Sequence, residues 1–175
     1  MNVVAKISGL LFLTLSLSFF AGHAQTPLDP AQLDSVQLKN VRGKIVSFDS
    51  LTKKNQVILV CFWSVNSDPS VSELNAINAQ YAKWRQLASF RLVAVCVDEG
   101  NLSNRMRTTA NMNGWTFDVY ADMNDDLRRL LHAINTPQSI ILKDGQVVYQ
   151  QSGYQPGSEN YLFNKLLSLT PAVNH

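Results

Sequence analysis

Two apolar runs, Val57 to Trp63 and Leu92 to Val97, carry no polar break. Runs of that length without alternation predict strands covered on both faces, as in a parallel sheet. Between them Val71, Leu74, Ile77, Tyr81, Trp84 and Ala88 recur at helical spacing, which predicts an amphipathic helix. Upstream, Val36-Gln37-Leu38 and Lys44-Ile45-Val46 alternate around Asn40-Val41-Arg42-Gly43, a hairpin pattern. Downstream, Leu102, Met106 and Ala110 mark a helix that Gly114 stops, and Thr116 to Tyr120 reads as a short strand. Leu127, Leu130 and Leu131 form another helical stripe. Ser139 to Leu142 and Gln146 to Tyr149 flank Asp144-Gly145, a two-residue hairpin turn. Leu162, Leu166 and Leu169 mark a closing helix. The order ββ, βαβαβα, ββα predicts an α/β domain with an antiparallel pair at one side of its sheet.

The chain has 175 residues, 46% of them hydrophobic, enough for one self-sufficient core. Its formal charge of +2 gives no strong pull toward nucleic acid. Lys6, the apolar run Ile7 to Gly22 and the small residues of Gly22-His23-Ala24 predict a signal peptide over residues 1–24, cut before Gln25. The run is short for a membrane span of about 20 residues, so no integral membrane domain is expected after cleavage. Residues 25–34, polar with two prolines, read as a lead-in, 35–170 as the domain and 171–175 as a tail. Export implies an oxidising compartment: the periplasm, with release or outer-membrane association as alternatives. Only Cys61 and Cys96 are present, which excludes a small disulfide scaffold. No His, Cys or carboxylate spacing suits a metal, and no metal or cofactor is expected.

The stretch Phe62 to Ser70 carries the candidate chemistry, because it joins a buried strand to a helix through a tight turn. Ser67 or Asp68 can cap the helix with Pro69 in its first turn, and Ser70-Val71-Ser72-Glu73 matches a capping box. A serine nucleophile would need a neighbouring base, and neither His132 nor His175 is suitably placed. Cys61 and Cys96 read as small apolar core residues, with pairing or thiol chemistry as the alternative. Asp98 and Glu99, at a strand end, read as a solvated turn. Trp63 and Trp84 read as core and Trp115 as a packing anchor.

Taken in order, these elements resemble the thioredoxin superfamily, and within it the TlpA/ResA-like envelope thioredoxins. The likeness spans about residues 35–169. It rests on the N-terminal hairpin, Val60-Cys61-Phe62-Trp63 with helix entry at Pro69, Ala94-Val95-Cys96-Val97-Asp98-Glu99, the extra helix and strand before Asp122, Ile134-Asn135-Thr136-Pro137, Lys143-Asp144-Gly145 and Gly153-Tyr154-Gln155-Pro156-Gly157. It implies a three-layer α/β/α fold with a mixed central sheet and an N-terminal β-hairpin. It also implies a cis-proline at Pro137 and a Cys-x-x-Cys site. Here that site reads Ser67-Asp68-Pro69-Ser70, and the tryptophan before it is Asn66. The family's buried acid or asparagine falls at Cys61, so nucleophile, resolving thiol and buried acid all lack counterparts. Ser67 and Ser70 are therefore expected to be vestigial, because a hydroxyl at a helix start neither ionises usefully nor forms a disulfide. Trp63, Asn66, Ser67, Asp68, Pro69, Thr136 and Pro137 are the expected binding residues, with Thr136 offering backbone groups to an extended peptide.

These features suggest a redox-inactive, exported module that binds a peptide or an envelope protein. One alternative is a thiol-disulfide oxidoreductase using Cys61 or Cys96. Another is a structural subunit of an envelope assembly.

Overall fold

The structure, a computed structural model, describes residues 28–52, 56–99 and 102–170. The signal-peptide expectation for 1–24, the cut before Gln25 and the tail 171–175 lie outside the described residues. Among the described residues, no helix is long and apolar enough to cross a membrane.

Among the described residues, seven strands form one sheet: β1 (Gln37–Asn40), β2 (Ile45–Ser47), β3 (Val57–Trp63), β4 (Phe90–Cys96), β5 (Asp118–Ala121), β6 (Gln138–Lys143) and β7 (Gln146–Ser152). Their order across the sheet is β2-β1-β5-β4-β3-β6-β7. The neighbours β3/β4 and β4/β5 are parallel, and the other four pairs are antiparallel. Antiparallel strands thus lie at both sides of the parallel centre, not at one side. The helices among the described residues are α1 (Pro30–Ser35), α2 (Asp68–Leu87), α3 (Leu102–Met112), α4 (Asp126–Leu130) and α5 (Glu159–Leu169), with a 3₁₀ turn at Asp49–Leu51.

The unbroken apolar runs are explained by burial on both faces. Leu59, Cys61 and Trp63 of β3 pack with Leu74, Ile77 and Trp84 of α2 and with Leu162 and Leu166 of α5. Ile58, Val60 and Phe62 point the other way, into a second core with Leu33, Leu51, Leu127 and Leu131. Strand alternation divides one run between two layers, which gives the three-layer α/β/α thioredoxin-like fold. Burying each such aliphatic or aromatic side chain contributes about 1.5–3 kcal/mol.

Asp144 and Gly145 both take positive φ (51° and 73°), the geometry of a two-residue hairpin whose twist matches its strands. The lead-in carries an element from Pro30 onward. It holds α1, capped by Asp29, whose Oδ1 accepts from the amide of Ala31 at 2.9 Å.

Candidate functional site

β3 and β6 run antiparallel with Phe62 opposite Gln138, so the exit of β3 and the entry to β6 meet at one end of the sheet. The turn at 64–67 and the Thr136–Pro137 segment therefore share that end. The Thr136–Pro137 peptide is cis.

The helix begins as its first residues dictate. Ser67 is the N-cap of α2, with Pro69 in the first turn. The Ser67 Oγ accepts from the amide of Ser70 at 3.4 Å and from the Ser70 hydroxyl at 2.9 Å. The two serines are thus hydrogen-bonded to each other at a helix N-terminus. The capping-box reading of Ser70 to Glu73 fails: Ser70 is already inside the helix and fully buried, and Glu73 is buried too.

The turn is held from below by Asp98, on the segment that follows β4. Its Oδ1 accepts from the Ser64 hydroxyl at 2.6 Å, and its Oδ2 from the Val65 amide at 2.7 Å. The Cys96 thiol donates to Oδ2 at 3.1 Å. Asp98 is half-buried and fixes the site, so the solvated-turn reading is corrected for it; Glu99 is exposed.

Beneath α2 lies a second polar group of residues. The Ser139 hydroxyl is 3.2 Å from the Cys61 sulfur and 3.3 Å from Glu73 Oε1. One hydroxyl carries one proton. A consistent arrangement has the Cys61 thiol donating to Ser139, and Ser139 donating to Glu73. Burial raises the Glu73 carboxyl from its ordinary 4.5 to about 7, the Ser139 hydrogen bond opposes the rise, and the charge of Glu159 adds to it. Glu73 Oε2 is buried without a hydrogen-bond partner among the described residues. The expectation that no buried acid accompanies Cys61 is therefore overturned: the acid comes from α2, not from β3.

Both thiols are free and buried. Burial raises each above the ordinary thiol range; Glu73 adds to the effect at Cys61, and hydrogen bonding to and repulsion from Asp98 add to it at Cys96. The strands are neighbours, but Cys61 lies opposite Ala94 and Cys96 opposite Trp63, two residues out of register.

Asn66, Asp68 and Pro69 are exposed and Ser67 and Thr136 half-buried, whereas Pro137 is buried. Trp63 is fully buried and meets Trp115 edge-on at 4.9 Å, so its place among the binding residues is corrected: it supports the site from within. Sequence reasoning also missed Ile134, 75% exposed beside Thr136. Its carbonyl and that of Ala133 accept from Arg128, and its amide donates to Gln138 Oε1 at 3.0 Å. His132 lines a shallow cleft with Asp125, Arg128, Arg129, Ala133 and Ile134. Among the described residues no group of three or more His, Cys, Asp or Glu could hold a metal ion.

A model of the AhpC/TSA family matches residues 30–151. Among solved structures, the chain is similar to an uncharacterized thioredoxin-like protein from Porphyromonas gingivalis. The two share 34% identity over 83% of this chain and 95% of that one, with a TM-score of 0.69. A putative thiol:disulfide interchange protein DsbE from Chlorobium tepidum is 22% identical over 76% of this chain and 91% of its own, with a TM-score of 0.65. The bacterioferritin comigratory protein of Xanthomonas campestris, studied for alkyl peroxide reduction, is 15% identical over 79% and 94%, with a TM-score of 0.67. The last two likenesses are of fold. No curated protein matches the chain.

Proposed function

The chain belongs to the AhpC/TSA family within the thioredoxin-like fold, and from that premise we propose that it is an exported envelope module that binds an extended peptide or a partner protein without dithiol exchange. One observation carries the reading: Ser67 and Ser70 hydrogen-bond to each other at the start of α2, where the fold's redox relatives need a thiolate. The remaining sulfurs, Cys61 and Cys96, are buried and held as thiols. The peptide would lie along Thr136 in strand-like pairing, over Asn66, Ser67, Asp68 and Pro69.

Insulin reduction by the mature domain tests the absence of exchange, with a Cys61→Ala, Cys96→Ala variant alongside. The expected result is no turnover by either protein. Turnover lost in the variant, with fast thiol labelling of the folded protein, would establish the oxidoreductase alternative instead. Binding is read by fluorescence anisotropy with reduced, carboxymethylated ribonuclease A as an unfolded probe. Thr136→Pro, which removes the backbone donor, is expected to weaken it about tenfold, roughly 1.4 kcal/mol. A stoichiometric envelope partner retained equally by Thr136→Pro would favour a structural subunit.

A further inference from the structure

The segment Ala133 to Thr136, ahead of the cis bond, has a backbone that is tied in one half and free in the other. The Ala133 amide donates to the Arg128 carbonyl at 2.9 Å. The Ala133 carbonyl accepts from Arg128 Nε at 3.1 Å, and the Ile134 carbonyl from Arg128 Nη2 at 3.0 Å. The Ile134 amide donates to Gln138 Oε1 at 3.0 Å, and Gln138 is 5% exposed. Past the cis bond, the Pro137 carbonyl accepts from the Gly153 amide at 2.8 Å. Between these fixed points, the amides and carbonyls of Asn135 and Thr136 have no hydrogen-bond partner among the described residues. Those groups form the edge along which an extended segment can pair.

Ile134 sits at the margin of that edge with both of its backbone groups tied. Leu131, Ala133 and Pro137 around it are buried, yet Ile134 is 75% exposed. A lone exposed isoleucine is ordinary. One pinned by a guanidinium fork and a buried amide beside an unpaired edge is placed for contact. The fork is itself fixed, because the buried Asp122 carboxylate accepts from the Asp126 amide at 3.0 Å and the Arg128 amide at 2.8 Å.

The chemistry that Ile134 accepts follows from its neighbours. It lines a cleft of about 400 Å³ with Asp125, Arg128, Arg129, His132 and Ala133. Both arginines are paired, Arg128 with Asp125 at 3.6 Å and Arg129 with Asp126 at 2.7 Å. The cleft therefore holds little unspent charge for an acidic side chain, whereas Ile134 offers apolar surface that gains by being covered. Side chains on one face of a strand recur every second residue. A strand paired at Thr136 thus brings its next side chain on that face to Ile134, two residues along.

We propose that Ile134 is a specificity-determining residue of the groove, which selects an aliphatic side chain in the bound segment, and that Arg128 is the positioning residue that holds it in place. The inference rests on the peptide-groove reading given above and names the class of segment taken: extended, with an aliphatic residue beside the paired stretch.

Fluorescence anisotropy tests it with short labelled peptides of alternating serine and threonine, each carrying one central guest: leucine, serine or aspartate. The leucine guest is expected to bind about tenfold more tightly than the serine guest, the gain from covering an aliphatic side chain. In Ile134→Ser the two guests bind alike, with the serine guest unchanged from wild type; the position is exposed, so the fold does not depend on it. Ile134→Leu keeps the preference. Arg128→Lys retains the charge but cannot bridge both carbonyls, and the preference falls to about threefold. A leucine preference that survives in Ile134→Ser would overturn the specificity role, as would tighter binding of aspartate than of leucine. An undiminished preference in Arg128→Lys would overturn its positioning role. Equal binding of all guests by the wild type would remove the selection and leave the groove reading in place. Failure of every peptide and of the ribonuclease probe to bind would remove the groove reading, and the selection with it.

Discussion

The two halves of α2 are packed in opposite ways. Toward its C-terminal end, Trp84 stacks on Phe163 at 4.8 Å with the rings 12° from parallel, and Tyr81 meets Phe90 and Phe117 edge-on. Toward its N-terminal end, the helix buries Ser70 and Glu73 against Ser139 and Cys61. Each half holds one buried polar atom with no partner among the described residues: the Trp84 indole nitrogen and Glu73 Oε2. The indole cannot change its charge. The carboxyl can. One half of the helix is an aromatic anchor and the other a buried polar floor whose carboxyl can take up or release a proton.

Breaking the anchor gives the largest effect. Trp84→Ala is expected to lower unfolding free energy by about 3–5 kcal/mol, the range for truncating a buried aromatic residue, measured by urea denaturation. A loss under 1 kcal/mol would mean that the aromatic cluster does not hold the helix.

The floor is tested by pH. The Glu73 carboxyl rises from 4.5 to about 7 in the folded protein. The native state therefore binds more protons than the unfolded state between those values, and stability falls as pH rises through that window before levelling off above it. At about 1.4 kcal/mol for each tenfold in proton affinity, the fall is about 3 kcal/mol. Glu73→Gln should flatten this part of the profile and leave the variant relatively more stable at pH 8. Parallel profiles for the two proteins would assign the titration elsewhere.

Asp98 sharpens the same contrast from outside the helix. Asp98→Ala leaves the Ser64 hydroxyl, the Val65 amide and the Cys96 thiol without their acceptor. The expected loss is about 2 kcal/mol, with faster labelling of Cys96; unchanged labelling would show that the turn keeps its place without the carboxylate. The smallest effect is at the cap. Ser67→Ala should cost about 1 kcal/mol, and a neutral result would mean that water replaces the hydroxyl.

Much of this architecture was legible before any coordinates. The unbroken run Val57 to Trp63 foretold a doubly covered strand, and Asp144-Gly145 foretold its hairpin, because burial and turn conformation act directly on residue type. α1 was not legible: Leu33 packs into the core, and a six-residue helix has no period to read. Glu73 was misread for a different reason. Its spacing from Ser70 fits a capping box, yet both residues fall on the same side of α2 as Leu74, Ile77, Tyr81 and Trp84. A carboxylate on the apolar stripe was the available signal. Asp98 was missed because its partners lie 33 and 34 residues away, beyond any local pattern.

The amide of Leu28 donates to the carbonyl of Gly145 at 2.8 Å, stitching the start of the described chain onto the β6–β7 turn. That turn closes the far end of β6 from Pro137. A tag, a surface linker or a fused domain joined ahead of Leu28 consequently leaves from the opposite pole, and a molecule immobilised by that end presents the 64–67 turn and Pro137 outward.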